Sequence, residues 1–389
     1  MMKSSEPQSF SLILGLDVGD RRSEACIMQG GAVAEFSSVK TEEPSLRKLF
    51  ARPEHAHVVL ETGTHSLWIA DLAEQCGHKV TLVDARRFAL LRTNQRKTDK
   101  KDSELLAKAA NSEFIDLWSV RRRSPQTRSD VTKLRLRDGL VASRSALINQ
   151  VRGCAKSLMA RLPPCDANYF ARKAAELLPK EHRRMFAPML KSIAEITANI
   201  RAYDKELAKV AELRYSKPVE RMRQVPGVGP LTSLAMALAI EDPTRFKKSR
   251  DVAAYFGLVP GKHESGEMDV QKRITKSGDG MTRRYLVQAA HYVLGPHGPD
   301  CDLKRFGQAL AATGGPRGKR RAVVAVARRL AVLLHRLWVS GQTYDPDHKQ
   351  TQTQTQSLKR GRTRAKTTAA LPLGGNSCVQ KKLLKVAKS

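Results

Sequence analysis

The 389-residue chain carries 69 Lys and Arg against 38 Asp and Glu, a formal net charge of +31. Such an excess implies a polyanionic partner, most simply nucleic acid. Its hydrophobic fraction of 41% supplies ordinary packed cores and excludes wholesale disorder, and its length suffices for two or three domains.

In chain order, residues 11–18, 24–29 and 32–39 read as short strands separated by charged or Gly-containing turns. A helix over 44–50, a buried strand over 57–61, a helix over 66–75 and a strand over 79–83 follow. A last helix starts near Lys100 and runs through Leu105 and Leu106. A three-strand meander followed by helix–strand–helix–strand–helix is the element order of an RNase H-type α/β domain, placed at 11–115. Over 128–214 the period changes. Leu134, Val141, Ile148, Ala155 and Leu162 fall seven apart, with Val151 and Leu158 filling the seam. Further on, Ile193, Ile196, Ile200, Tyr203, Leu207 and Val210 alternate by three and four. This spacing predicts a helical coiled-coil spacer of two long helices, paired within a chain or between protomers, with Pro163-Pro164 breaking the first. Residues 217–345 mix short helices with Gly-rich turns, a mostly helical C-terminal domain. Residues 346–389, with their Thr-Gln repeats and Lys359-Arg360-Gly361-Arg362, read as a disordered basic tail.

Cys26, Cys76, Cys154, Cys165, Cys301 and Cys378 stand singly, without the paired spacing of a zinc or redox motif, and fit a reducing cytoplasm. The polar start and the interruption of the first apolar stretch by Asp17 argue against a secretory signal. The apolar run at 323–334 is short and broken by Arg328 and Arg329, so no membrane partner is expected.

Two carboxylates sit where apolar strands ought not to hold them: Asp17 within Leu14-Gly15-Leu16-Asp17-Val18-Gly19, and Glu61 at the end of Val58-Val59-Leu60-Glu61. A carboxylate there calls for a hydrogen-bond network or a cation. Asp99 and Asp102, three apart at a helix start, share a face. Four converging carboxylates would repel without a divalent cation, and an oxygen-only donor set suits Mg²⁺ or Mn²⁺. Two such ions can clamp the attacking and leaving oxygens of a phosphodiester.

In the C-terminal half, Pro226-Gly227-Val228-Gly229-Pro230 precedes an apolar helix. Gly227 and Gly229 would expose backbone N–H groups able to hold a DNA phosphate, or form a plain tight turn. A polar loop follows Gly257-Leu258-Val259-Pro260 and contains Lys262, His263 and Ser265. Beyond it lie Arg273-Ile274-Thr275-Lys276, then Ser277, Arg283 and Arg284. Lys262, Arg273 and Lys276 read as phosphate or transition-state contacts, with Arg283 and Arg284 among the nucleic-acid-binding cations. The helix after Arg317-Gly318-Lys319-Arg320-Arg321 carries Arg328, Arg329 and Arg336, a cationic face fit for a nucleic-acid path.

These motifs resemble the DEDD insertion-sequence transposases, whose N-terminal domain is similar to RuvC-type Holliday-junction resolvases. The resemblance rests on the GLDVG strand, the LETG strand end and the KTDKKDSELLA helix, and again on the GLVP and ITK segments. It implies that Asp17, Glu61, Asp99 and Asp102 are catalytic metal ligands and that Ser265 is a nucleophile. It further implies a guide (bridge) RNA encoded by the element, DNA as substrate, and a homo-oligomer, dimer or tetramer, in which one protomer's acids meet another's serine. The loop around Ser265 departs from the family, with Gly266-Glu267 and Gln271-Lys272-Arg273 where glycines are usual. Two rival readings are a resolvase-like nuclease using the acids alone, and an actin- or sugar-kinase-type ATPase. GLDVG also resembles the first phosphate loop of those ATPases, but their second phosphate loop and adenosine motif are not apparent.

Overall fold

The computed structural model describes residues 10–84, 98–112, 119–265, 268–313 and 315–347, and for 262–265, 268–271 and 316 the backbone alone. The predicted tail therefore lies outside the described residues, apart from its first two positions. The chain divides into two compact units, 1–124 and 125–389.

The first unit is a five-stranded sheet with helices on both faces. Its elements are β1 (Leu12–Val18), β2 (Arg22–Gln29), β3 (Ala32–Lys40), α1 (Glu43–Phe50), β4 (Ala56–Glu61), α2 (Ser66–Gln75), β5 (Lys79–Val83) and α3 (Asp99–Asn111). The strand order is β3-β2-β1-β4-β5. β1, β2 and β3 form an antiparallel meander, and β1, β4 and β5 run parallel. The expected elements are present, with β2 starting two residues earlier than its composition suggested. β1 is apolar up to Asp17 because both its faces are covered, as in sheets flanked by helices on each side. Leu12, Leu14 and Leu16 join Val58 and Leu60 against the α1 and α2 residues Leu46, Phe50 and Ile69. Ile13, Cys26 and Met28 pack with Ala107 of α3, and Val59 and Val83 pack with its Leu106 and Ala109.

The second unit is mostly helical. Its elements are α4 (Pro125–Ser157), α5 (Phe170–Leu177), α6 (Lys180–Arg214), α7 (Ser216–Arg223), α8 (Pro230–Ile240), α9 (Arg250–Tyr255), β6 (Pro260–Ser265), β7 (Met268–Ile274), α10 (Gly280–Leu294), α11 (Asp302–Thr313) and α12 (Gly318–Ser340). The long helices α4 and α6 pack together within the chain. Leu134, Ile148, Val151 and Ala155 are buried on α4, and Ile193, Ile200, Leu207 and Val210 on α6.

Three details depart from the heptad reading. Midway along α4 the buried residue is Arg144, whose Nη1 donates to Asn168 Oδ1 at 2.9 Å and Thr197 Oγ1 at 3.4 Å. On α6 it is accordingly Thr197, not Ile196, that lies buried. The first helix also ends before the proline pair: α4 stops at Ser157, and Met159 adopts a left-handed φ of 59° while Ala160 N closes on Ala155 O, a helix stop of the left-handed type.

Val131 and Leu134 of α4 and Leu207 and Val210 of α6 share a core with Val219, Leu234, Leu238 and Tyr285. One end of the helix pair is thus continuous with the C-terminal helices. The main core gathers Met236, Phe256, Leu286, Val293, Leu330 and Leu334 from α8, α10, α12 and the turn after α9.

Candidate active site

The four acids converge through simple counting on the sheet. In β1, Ile13 and Gly15 face α3, so Asp17 does too, since strand side chains alternate. In β4 the same count takes Val59 to Glu61. The parallel register pairs Leu16 with Leu60, so Asp17 and Glu61 follow one step later at the same end of neighbouring strands. Both are half-buried.

Gly15 sets the third partner. A Cβ there would lie 2.2 Å from Ser103 O and 2.5 Å from Ala107 N, so only glycine lets α3 sit this close to β1. That contact seats the first turn of α3 over the Asp17 end of the strand. Asp102 on that turn is 6% exposed, while Asp99, which opens the same turn, is exposed. Thr98 caps the helix, its hydroxyl accepting from Lys101 N, and Ser103 Oγ donates to Lys100 O at 2.9 Å. The helix N-terminus and its dipole favour acids in this turn.

Sequence reasoning missed a fifth acid. Glu24 pairs directly with Asp17 across β1 and β2, on the same face of the sheet. Its carboxylate accepts a hydrogen bond from Ser38 Oγ of β3. The signal was present: Glu24 sits two residues before Cys26, which packs on α3. Burial pushes the Cys26 thiol up to about 11.

The donors are all oxygen, which fits a hard divalent cation. Among the described residues no three His, Cys, Asp or Glu side chains stand together as a ready-made metal group. The strand register and the approach of α3 bring Asp17, Glu61 and Asp102 to one end of the sheet.

The second unit holds the remaining candidates. Gly227 turns the chain between α7 and α8 at φ 80°, and a Cβ there would meet Ala289 O at 2.8 Å. Gly229 precedes α8 and is exposed. The segment read as a polar loop is instead a two-stranded antiparallel hairpin, β6 with β7. The period-two placing of Met268, Val270 and Ile274 accounts for it. Ser265 is the last residue of β6, paired with Met268, and Lys262 pairs with Gln271; their side chains lie outside the described residues. Arg273 and Lys276 are exposed.

The hairpin's base is tightly built: a Cβ at Gly257 would lie 2.4 Å from Ser277 N, and Gly278 abuts Tyr255 O. Arg283 braces it, donating to Phe256 O at 2.8 Å and Ser277 O at 2.9 Å. Arg284 forms an ion pair with Asp138 of α4 at 2.7 Å. These two cations thus have partners inside the protein, which spacing alone could not show.

Both the acid-bearing sheet and the region of the glycine turn and hairpin have counterparts among known transposases. Residues 14–160 match the IS110-type DEDD transposase domain, and residues 219–302 match the transposase IS116/IS110/IS902 family. The transposase for insertion sequence element IS1111A of Coxiella burnetii is 30% identical over 259 residues, 64% of this chain and 68% of that protein. A putative transposase of Sinorhizobium fredii is 28% identical over 80% of this chain and 82% of its own. The pilin gene-inverting protein of Moraxella bovis is 22% identical over 85% of this chain and 97% of its own. The chain belongs to the IS116/IS110/IS902 family of transposases. Dependence on a divalent metal comes with its DEDD domain.

Proposed function

We propose that this transposase cuts and rejoins DNA with Asp17, Glu61, Asp99 and Asp102 as ligands of Mg²⁺ (or Mn²⁺) and Ser265 as nucleophile, guided by an RNA encoded by the element. The observation that carries the reading is the delivery of Asp17, Glu61 and Asp102 to one end of the sheet by register and by the Gly15 contact. The strand order β3-β2-β1-β4-β5 supports an RNase H-like, RuvC-type domain over 11–115. The packing of α4 on α6 supports a coiled-coil-like spacer over 128–214, followed by a serine-bearing domain over 217–345. The pilin gene-inverting relative favours site-specific recombination over simple nicking.

The bound metal supplies charge neutralisation at the scissile phosphate. Ser265 Oγ forms a bond to phosphorus as the bond to one deoxyribose oxygen breaks, that oxygen taking up a proton and the serine losing one. The phosphoserine ester conserves the energy of the broken bond, so rejoining needs no ATP. Gly227, Gly229, Lys262, Arg273 and Lys276 hold phosphates, and the enzyme works in the cytoplasm as a homo-oligomer.

The test uses end-labelled DNA, the native flanking transcript and denaturing gels. Asp17→Ala and Ser265→Ala each abolish cleavage while nucleic-acid binding persists, and EDTA stops the wild-type reaction. The covalent label maps to Ser265. Mixing the two variants restores activity, because oligomers then contain both intact acids and intact serine. Normal cleavage by Ser265→Ala, or a label on Ser277, would leave a resolvase-like nuclease as the better reading.

A further inference from the structure

The helical unit carries a second feature besides the glycine turn and the hairpin. α11, α12 and the strap residues Tyr344 and Asp345 line an open cleft of about 610 Å³, within the range of small-ligand sites and far too small for a duplex. α12 contributes Arg328, Arg329, Val332 and Arg336, a set at helical spacing along one face. Val332 and Leu303 make apolar walls. Arg329 lies over the Phe306 ring, 3.1 Å from its centroid, presenting a flat cationic plane. Arg328 and Arg336 are exposed, and among the described residues neither has a hydrogen-bond or ion-pair partner. They stand eight residues apart, about 12 Å along the axis.

The opposite wall is built rather than loose. Asp302 N donates to Pro346 O at 2.8 Å, Tyr344 N donates to Gln224 Oε1 at 2.8 Å, and Arg305 bonds Asp302 and Asp347. Arg305 offsets part of the acidic charge on that rim, where Asp302 and Asp345 also line the cleft.

We propose that this cleft binds an unpaired nucleotide of a single-stranded DNA or RNA segment. The base stacks on the Arg329–Phe306 pair between the apolar walls, and the flanking phosphates lie against Arg328 and Arg336. Stacking on arginine and aromatic planes with cations along the backbone is the general chemistry of single-strand recognition. The chain's own basic residues beyond 347 are unsuited as occupants, because they would bring positive charge to an arginine-lined mouth. The proposal rests on the reading of this chain as a nucleic-acid enzyme and adds a site that distinguishes single strands from duplex.

The experiment measures binding of the full chain, in EDTA, to fluorescent 12-nucleotide oligo(dT), oligo(U) and a duplex of equal length. Val332→Trp fills the cleft and weakens single-strand binding by about tenfold, leaving duplex affinity unchanged. Phe306→Leu does the same, and Phe306→Tyr retains binding. The exposed double variant R328Q/R336Q, which leaves the packed walls intact, lowers the single-strand salt slope by about 1.4. The deoxy and ribo arms report which strand is the better ligand. The cleft assignment is overturned if single-strand and duplex affinity fall in parallel, or if both remain at wild-type values in Val332→Trp. Absence of salt-dependent binding in the wild-type chain would instead count against the nucleic-acid reading itself.

Discussion

Asp17, Glu61 and Glu24 share a face by a count of two along their strands, and that count is available to anyone reading the sequence. What the sequence withholds is register. Glu24 is an ordinary polar strand residue until β2 is paired with β1, and Arg283 and Arg284 are free cations until Phe256 O, Ser277 O and Asp138 come within reach. His57 is another such residue. It was read simply as the start of a strand, yet burial and the nearby Lys79 bring its pKa down to about 4, and its Nε2 bonds Thr81 Oγ1 at 2.9 Å. Because the folded state holds His57 neutral, the unfolded chain takes up the proton first as pH falls. The stability of the first unit therefore declines between about pH 6.5 and 4 and levels off below, by at most ~3 kcal/mol from this group. His57→Gln, which keeps a partner for Thr81, should flatten that decline in urea unfolding at pH 7.5, 5.5 and 4.5. An unchanged slope would mean that His57 does not carry the pH dependence.

At the level of elements, the sheet was legible because its strands are short, apolar and bounded by charged or glycine turns, and the order of elements followed from them. The β6–β7 hairpin was not, because its polar residues conceal an alternation that only pairing makes plain. The long helices were found from their seven-residue spacing, but the polar layer of Arg144, Asn168 and Thr197 was invisible, since Asn168 lies outside both heptad runs. Gly15 shows how one element depends on another. It stood in the motif as a neighbour of Asp17, with nothing to say that α3 rests upon it. Gly15→Val should destabilise the first unit by about 3 kcal/mol through overpacking against the α3 backbone. It should also abolish DNA cleavage at temperatures where the protein remains folded, because the turn bearing Asp99 and Asp102 is displaced while every acid is retained. Wild-type cleavage by a folded Gly15→Val protein would show that the approach of α3 to β1 does not set the acid site.

For the whole molecule, charge decides affinity. Residues 348–389 hold ten of the 69 Lys and Arg and no Asp or Glu, so their removal lowers the net charge from +31 to +21 without touching the acids. Deletion of this segment should weaken DNA binding without regard to sequence and make it less steeply dependent on salt, with cleavage retained at low ionic strength. Binding isotherms from 50 to 300 mM salt test this, and identical slopes for the two proteins would exclude the segment from phosphate contact. The polar layer inside the α4–α6 pair has its own mechanical outcome. α4 alone is 33 residues, about 50 Å of helix, and a slide of one helix past the other by a single heptad would carry the Arg144 guanidinium off its acceptors and into an apolar layer. Such a slide would leave a buried guanidinium without its acceptors, so the Arg144 layer fixes the register of the pair. Its root is clamped in the core around Leu234 and Tyr285. Its other end packs against α5 in a separate apolar cluster, so a register fixed at the Arg144 layer is shared by two cores rather than one.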